Sequence, residues 1–530
     1  MSQPWLPADH SADQGGLRKK VARGFTWTLV DNWGSQLLGL VILLILLRLL
    51  NAEHVGLVAL AAAIVGVAQL FVDQGLGDAL IQRPSLTRGQ IDTAFWTAVT
   101  TGCLLAVLGV LAAAPLAALV GEPRLEPLVQ VLSVSFLLTA LSSVQMALLR
   151  REMAFKSLAA RRLIAIAGGG IVGIAMAFLG FGAWALVGQQ LAQAGLSVVT
   201  LWAVSPWRPG LQVSWSDFRS LFSFGINIVA GDLVFYLGRN LDSVLVGTFL
   251  GPIALGVYAV GFRFLEASTA MLVTAARKLG YPTFSRLQDD RDRLRRAYER
   301  MSRALASVTL PGYVGLALIA EEAIVLLAGE PWRASGAVAT VLILTGPAQA
   351  LQAYSGAVLN AIGHPEVTLR YRFLTAVVNV AGFLVAVLVF RSVIAVAAAY
   401  ALRAYILAPV VLRWLESYAD IPFRKNLLRL RRIAVSTALM AVAVLIVKAV
   451  MPASTGLPLS LAVQIGVGVV VYALAMLLLE RALVIDLWQF AMQALPRRVG
   501  GRLSGASRAR RSRGVDGSAR TGHDAEEAAQ

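Results

Sequence analysis

The chain has 530 residues, of which 57% are hydrophobic and only 15% charged, with a mean hydropathy of +0.70 and a net charge of +17. Soluble domains carry about 25% charged residues, so this composition excludes an ordinary soluble protein and points to a polytopic membrane chain. One cysteine, Cys103, and four scattered histidines exclude an internal disulfide framework and a multi-cysteine metal site.

The first 23 residues are polar and lead into an apolar run too long for a signal-peptide core, so this segment is expected to be retained. A helix needs roughly 20 apolar residues to cross a bilayer core of about 30 Å. Fourteen such runs are predicted, at 25–50, 55–75, 93–118, 127–149, 163–180, 182–204, 221–247, 253–275, 304–327, 336–360, 372–390, 392–414, 433–451 and 457–480. The expected fold class is an all-α integral membrane protein. Residues 1–23 form a cytoplasmic amino-terminal segment, 24–205 one six-helix lobe, 206–220 a linker, 221–415 a second six-helix lobe, and 416–480 a further two-helix unit. Residues 481–530 form a basic tail that reads as disordered.

Charge placement gives the orientation. With the amino terminus inside, the arginines and lysines at 18–23, 83–88, 150–162, 277–303 and 424–432 and those of the tail all fall on the inner side. Arg48, Arg124, Arg333, Arg391 and Lys448 lie on or near the outer side, and Arg239, Arg263 and Arg403 lie within spans. This is the positive-inside pattern, so the net charge is mainly a signal of topology and of anionic lipid at the inner leaflet, not of nucleic acid.

The sequence also repeats. Leu50-Asn51-Ala52-Glu53-His54-Val55-Gly56-Leu57 joins the first two spans, and Leu250-Gly251-Pro252-Ile253-Ala254-Leu255-Gly256-Val257 joins the seventh and eighth. Phe181-Gly182-Ala183-Trp184-Ala185-Leu186 matches Arg391-Ser392-Val393-Ile394-Ala395-Val396 in position. A repeat of six spans begins each time on the same side, so the two lobes are parallel and enclose a central cleft suited to alternating access.

Two segments carry charge where it is costly. Along 221–247, Asp232, Tyr236, Arg239 and Ser243 fall within roughly a 60° stripe of one helix. Arg263 and Glu266 sit one turn apart in the next span. An intramembrane charge marks a functional site unless it is neutralised by a neighbour, and the i,i+3 pairs Arg239/Asp242 and Arg263/Glu266 leave both readings open. In the 276–303 loop, Leu287, Leu294, Tyr298 and Met301 form an apolar stripe amid dense charge, which predicts an amphipathic helix on the inner membrane surface.

Gly238-Arg239-Asn240-Leu241-Asp242-Ser243-Val244-Leu245-Val246-Gly247, Leu250-Gly251, Leu255-Gly256-Val257-Tyr258 and Arg263, with the opening Arg23-Gly24-Phe25-Thr26-Trp27, resemble the signature of Wzx-type flippases in the polysaccharide-transporter family. The likeness covers roughly residues 18–480 and departs at Leu57, where that family often has tyrosine. The larger superfamily includes MATE multidrug exporters and lipid II flippases. The resemblance implies a substrate that is an undecaprenyl-diphosphate-linked oligosaccharide, moved to the outer leaflet, with no cofactor and with other polysaccharide-assembly proteins as possible partners.

A diphosphate requires cations, and the arginine fork suits it because it binds bidentately and stays charged. Arg263 and Arg239 are the leading candidates for phosphate contact, then Arg403 and Arg48. Asp31, Asp232, Asp242 and Glu266 are candidates for counter-charge or ion coupling. Gln36, Asn227, Asn240, Gln349, Gln352 and Tyr354 have side chains suited to sugar hydroxyls. Competing readings are a drug exporter of the MATE type, which intramembrane arginines disfavour for cationic drugs, and a membrane glycan polymerase or ligase, for which the outer loops are too short. No Walker-type phosphate loop is present. If the leading pair touches phosphate, Arg263→Ala and Arg239→Ala lower surface polysaccharide and leave lipid-linked precursor in the inner leaflet. Normal surface polymer from both variants at normal expression rules the assignment out.

Overall fold

The computed structural model describes residues 14–485 except 74, 75, 84 and 453, and within that range most side chains of 14–32 and 221–239 fall outside the description. Asp232, Arg239 and Asn227 therefore lie outside the described residues as side chains, as does the tail. The described chain is helical throughout, with no strand among the described residues. In order it forms α1 (Gln14–Leu49), α2 (Ala52–Asp73), α3 (Leu76–Gln82), α4 (Arg88–Val120), α5 (Leu125–Leu132), α6 (Val134–Arg151), α7 (Phe155–Phe178) and α8 (Ala183–Val204). Then come α9 (Trp215–Thr269), α10 (Ala275–Ser285), α11 (Arg291–Ala328), α12 (Arg333–Ile343), α13 (Gly346–Leu351), α14 (Ser355–Ala361), α15 (Pro365–Val385), α16 (Val393–Ala419), α17 (Phe423–Arg429), α18 (Arg431–Val450) and α19 (Leu457–Leu479).

Local chemistry sets several boundaries. At the start of α4, Thr87 Oγ1 accepts from the Gln90 N–H while the Gln90 side chain accepts from the Thr87 N–H, a reciprocal cap, and Gly121 closes the helix at φ 75°. Asp290 caps α11 by accepting from the Arg293 N–H at 2.9 Å. Inside α9, Gly251 has φ 87° and ψ 171°, a conformation open to glycine alone, and Pro252 begins a new helical limb. The element is thus two antiparallel limbs, 215–250 and 252–269.

Eleven stretches of the described residues are long and apolar enough to cross a membrane. Three features separate this number from the fourteen expected. Both limbs around Gly251 lie within or beside one continuous stretch, Asn240–Ser285. In α1 only Trp33–Leu49 is described as an apolar helix. In α8, Gln189, Gln190 and Gln193 dilute the apolar run. Two predicted spans are also interrupted: 127–149 bends at Ser133 between α5 and α6, and 336–360 is divided into α12, α13 and α14.

The amphipathic surface helix predicted for 276–303 is not the structure that forms. Residues 275–285 continue the second limb of α9 as α10 through a π-helical turn at Ala270–Thr274, and α11 runs unbroken from Arg291 into the apolar bundle. The stripe is core: Leu294 and Tyr298 are fully buried with Phe284, Val358, Leu359 and Leu415, and Leu287 and Met301 pack on that cluster. An amphipathic pattern reports a buried face, and α14 and α16 supply the partner that lipid was expected to supply.

The loops alternate between two ends. At the basic end, Arg429 pairs with Glu299, Arg303 with Glu480 at 3.2 Å, and Arg291 donates to the Tyr418 carbonyl. At the opposite end, Arg124 bridges Glu53 and Glu122, and Arg333 bridges Glu321 and Glu330. The bond to Arg124 holds the Glu122 carboxyl below the usual carboxylate range.

The closest helix crossing joins α2 to α9 at the repeated glycines. A Cβ on Gly56 would overlap the Pro252 carbonyl, and one on Gly256 would overlap the Ala52 carbonyl. Positions 52 and 56 thus meet 256 and 252 reciprocally. Small residues at such a crossing let backbones approach within van der Waals contact, the main source of helix association in lipid. Gly256→Leu should separate the crossing and cost about 1–3 kcal/mol, the usual scale of overpacking. A thermal unfolding midpoint equal to that of the wild type, in detergent, would show that the contact is not limiting.

Candidate functional site

Beside the glycine crossing, the end opposite the basic loops is tied shut. Arg48, at the end of α1, donates through Nε to the Leu327 carbonyl at 3.0 Å and through Nη2 to the Leu326 carbonyl at 2.7 Å. These are orphan carbonyls of the last turn of α11, where a cation also complements the helix dipole. Trp332 is buried and donates through Nε1 to the Leu47 carbonyl at 2.7 Å. Tyr236 donates to the Ala63 carbonyl at 3.2 Å, so the stripe of α9 meets α2 at that position.

Deeper in the carboxyl-terminal half, α10, α11, α15 and α16 bring cations among phenols. Arg277 is accessible to solvent yet surrounded by protein, with Tyr313, Tyr371 and Tyr400 within electrostatic range. Among the described residues Arg277 forms no ion pair and no hydrogen bond. Arg403 stacks its guanidinium 4.6 Å from the Tyr400 ring centroid, and its buried Nε has no partner. Tyr371 donates to Gln352 Oε1, and Gln352 Nε2 donates to the Ala404 carbonyl at 3.1 Å, which fixes α13, α15 and α16 around this space. A guanidinium held over an aromatic face, and another among phenols, keep unused donors for an anion.

The remaining sequence candidates divide by the partners they touch. Arg263 is 69% exposed and lies 3.7 Å from Glu266, a loose i,i+3 pair. Asp242 is buried, accepts from Tyr258 Oη at 2.6 Å and from the Ser243 N–H at 2.8 Å, and so ties the two limbs of α9 together. Asn240 donates to the Tyr236 carbonyl one turn earlier. Asp31 accepts from Ser35 and lies 3.4 Å from Arg162. Gln36 is exposed on α1. Tyr354 is 4% exposed with its ring edge-on to Phe284, so it belongs to the basic-end core and not to a surface that a sugar reaches here.

Sequence reasoning missed Arg277 by ending the helix near 275. The π-helical turn at Ala270–Thr274 adds a residue to the spiral, rotates the next turns and carries the helix on through Arg277. The arginines of α7, Arg161 and Arg162, were likewise assigned to a loop, whereas α7 begins at Phe155. Among the described residues no cluster of three histidine, cysteine or acidic side chains is placed to hold a metal.

Fold and site together define a multi-pass membrane protein, an all-helical bundle that brings Arg277 and Arg403 among the phenols of Tyr313, Tyr371 and Tyr400. The family described as polysaccharide biosynthesis protein matches residues 45–337, and the chain belongs to that family. The chain is 26% identical to the succinoglycan biosynthesis transport protein ExoT of Rhizobium meliloti (strain 1021), over 90% of this chain and 97% of that one. It is 25% identical to the teichuronic acid biosynthesis protein TuaB of Bacillus subtilis (strain 168), over 66% of this chain and 73% of that one. In fold it is similar to a lipid II flippase MurJ in an inward closed conformation, with a TM-score of 0.68 and 13% identity over 87% of this chain and 100% of that one.

The closed end can be tested directly. Two hydrogen bonds at roughly 1 kcal/mol each separate Arg48 from Arg48→Ala. In a Cys103→Ala background, a cysteine placed at Ala320, which is 1% exposed, should react about tenfold faster with an impermeant maleimide once Arg48 is removed. Equal rates would mean that Arg48 does not hold this end.

Proposed function

We propose that the protein is a flippase that carries an undecaprenyl-diphosphate-linked oligosaccharide across the cytoplasmic membrane by alternating access, for the assembly of a surface polysaccharide. In this reading fourteen spans form two parallel six-helix lobes plus two helices, and both termini are cytoplasmic. The basic end faces the cytoplasm, and the end tied by Arg48, Trp332 and the glycine crossing is the closed outer gate. The observation that carries the reading is the pair Arg277 and Arg403, cations with unused donors beside the phenols of Tyr313, Tyr371 and Tyr400. Membership of the polysaccharide biosynthesis family supports the same substrate class.

Residue roles come from chemistry. Arg277 and Arg403 engage diphosphate oxygens, with Arg263 next along the same limb and Arg239 a further candidate. The tyrosine rings and hydroxyls offer stacking and hydrogen bonds to sugar. The lipid tail stays in the bilayer, so the cleft needs to shield only the polar headgroup. Export of cationic drugs fits poorly, because cations without a carboxylate partner repel such a substrate.

Each arginine–phosphate contact contributes about 1.5–3 kcal/mol. Arg277→Ala and Arg403→Ala should each lower surface polysaccharide about tenfold or more, with lipid-linked precursor retained in the inner leaflet. The lysine variants should recover part of the activity, because charge is kept while bidentate geometry is lost. Wild-type polymer from both alanine variants at normal membrane abundance would overturn the reading.

A further inference from the structure

The amino-terminal half holds a cavity of mixed polar and apolar lining that shares no helix with the Arg277 and Arg403 cluster. It lies between α3, α6 and α8 toward the basic end, with a volume of about 160 Å³. At roughly 15 Å³ per water position it holds on the order of ten waters, room for a phosphate and one sugar ring or glycerol.

Its walls are specific in chemistry. Arg150 lines it directly, with Thr139, Ser142, Ser143, Ser197 and Gly77. Arg161 on α7 donates through Nη1 to Ser197 Oγ at 2.9 Å, and its buried Nε has no partner. Arg150 and Arg162 both lie within electrostatic range of Arg161. Asp31 is the carboxylate that answers them, and it pairs with Arg162. Among the described side chains these three arginines meet the one carboxylate of Asp31, a cationic excess that an anion relieves.

The serines add a second requirement. Ser142 Oγ donates to the Leu138 carbonyl at 3.0 Å and Ser143 Oγ to the Ala140 carbonyl at 2.9 Å. With their protons committed to their own helix, both oxygens present lone pairs to the cavity and accept from a ligand. Inorganic phosphate satisfies Arg150 and Arg161, but near neutral pH it has only one or two O–H groups, on the same small ion, to donate to the serine oxygens. A phosphate carrying a polyhydroxylated group satisfies both.

We infer that this cavity is a binding site for a phosphate ester of a polyol, the chemistry shared by a sugar phosphate and by a phosphatidylglycerol headgroup. Arg150 and Arg161 hold the phosphate, and Ser142 and Ser143 accept from the hydroxyls. The site does not depend on the transport assignment, since it rests on the cavity, its lining and Arg161, which bonds the lining residue Ser197 from behind.

The test uses the full-length protein in phosphatidylcholine nanodiscs, titrated calorimetrically with glucose 1-phosphate, inorganic phosphate and glucose. Glucose 1-phosphate should bind at least tenfold more tightly than either of the other two. Arg150→Gln should weaken it at least tenfold, and Ala194→Leu, which fills the cavity without changing charge, should do the same. Every titration is run in an Arg277→Ala background, so that the Arg277 and Arg403 cluster does not contribute to the binding read. Ser142→Ala should weaken glucose 1-phosphate more than inorganic phosphate. Adding phosphatidylglycerol to the nanodiscs separates the sources: competition assigns the site to the lipid headgroup, and its absence to a sugar phosphate. Binding that survives both Arg150→Gln and Ala194→Leu in folded protein of that background overturns the inference.

Discussion

The architecture depends on one backbone contact, the crossing of α2 and α9 at Gly56 and Gly256. No hydrophobic force draws helices together in lipid, so the close fit of two glycine-bearing surfaces has to hold the halves in register. Around it the chain adds polar ties where lipid offers no alternative partners: Arg48 on the α11 carbonyls, Trp332 on the Leu47 carbonyl, Tyr236 on the Ala63 carbonyl. All join the amino-terminal half to the carboxyl-terminal half. Arg277 and Arg403 take no part in these ties, and their unused donors remain.

The intramembrane charges fall into two kinds once their partners are known. Arg48 and Asp242 are committed to carbonyls, a phenol and a backbone amide, and they hold helices together. Arg277 and Arg403 retain donors that no described side chain satisfies. In a bilayer that difference is large, because an unsatisfied cation is tolerated only where water or a ligand reaches it. The distinction between scaffold and site is therefore one of satisfaction and not of depth.

Much of the fold was legible in the sequence. Hydropathy located most of the helices, and the spacing of Leu50 to Gly56 and Leu250 to Gly256 marked the repeat; that the two glycines meet each other's helix is visible only in the structure. The site was legible only in part. Arg403 was found because it interrupts an apolar run. Arg277 was missed because a π-helical turn carried helix past the point where apolar residues give way to charged ones. Tyr354 has the hydroxyl a sugar site needs, yet burial against Phe284 decides its role. The stripe of Leu294 and Tyr298 was visible as amphipathic, but sequence holds no record of whether protein or lipid covers a face.

The crossing has the form of a two-fold interface: position 52 meets 256 and position 252 meets 56. Such isologous contacts are familiar between identical subunits, where one patch must fit itself. Here both copies are in one chain and have diverged, alanine at 52 and proline at 252. Each half is thus the other's mould at these four positions. Domain shuffling between relatives is constrained accordingly: an exchanged half is compatible only if its crossing surface fits a partner with which it no longer shares a sequence.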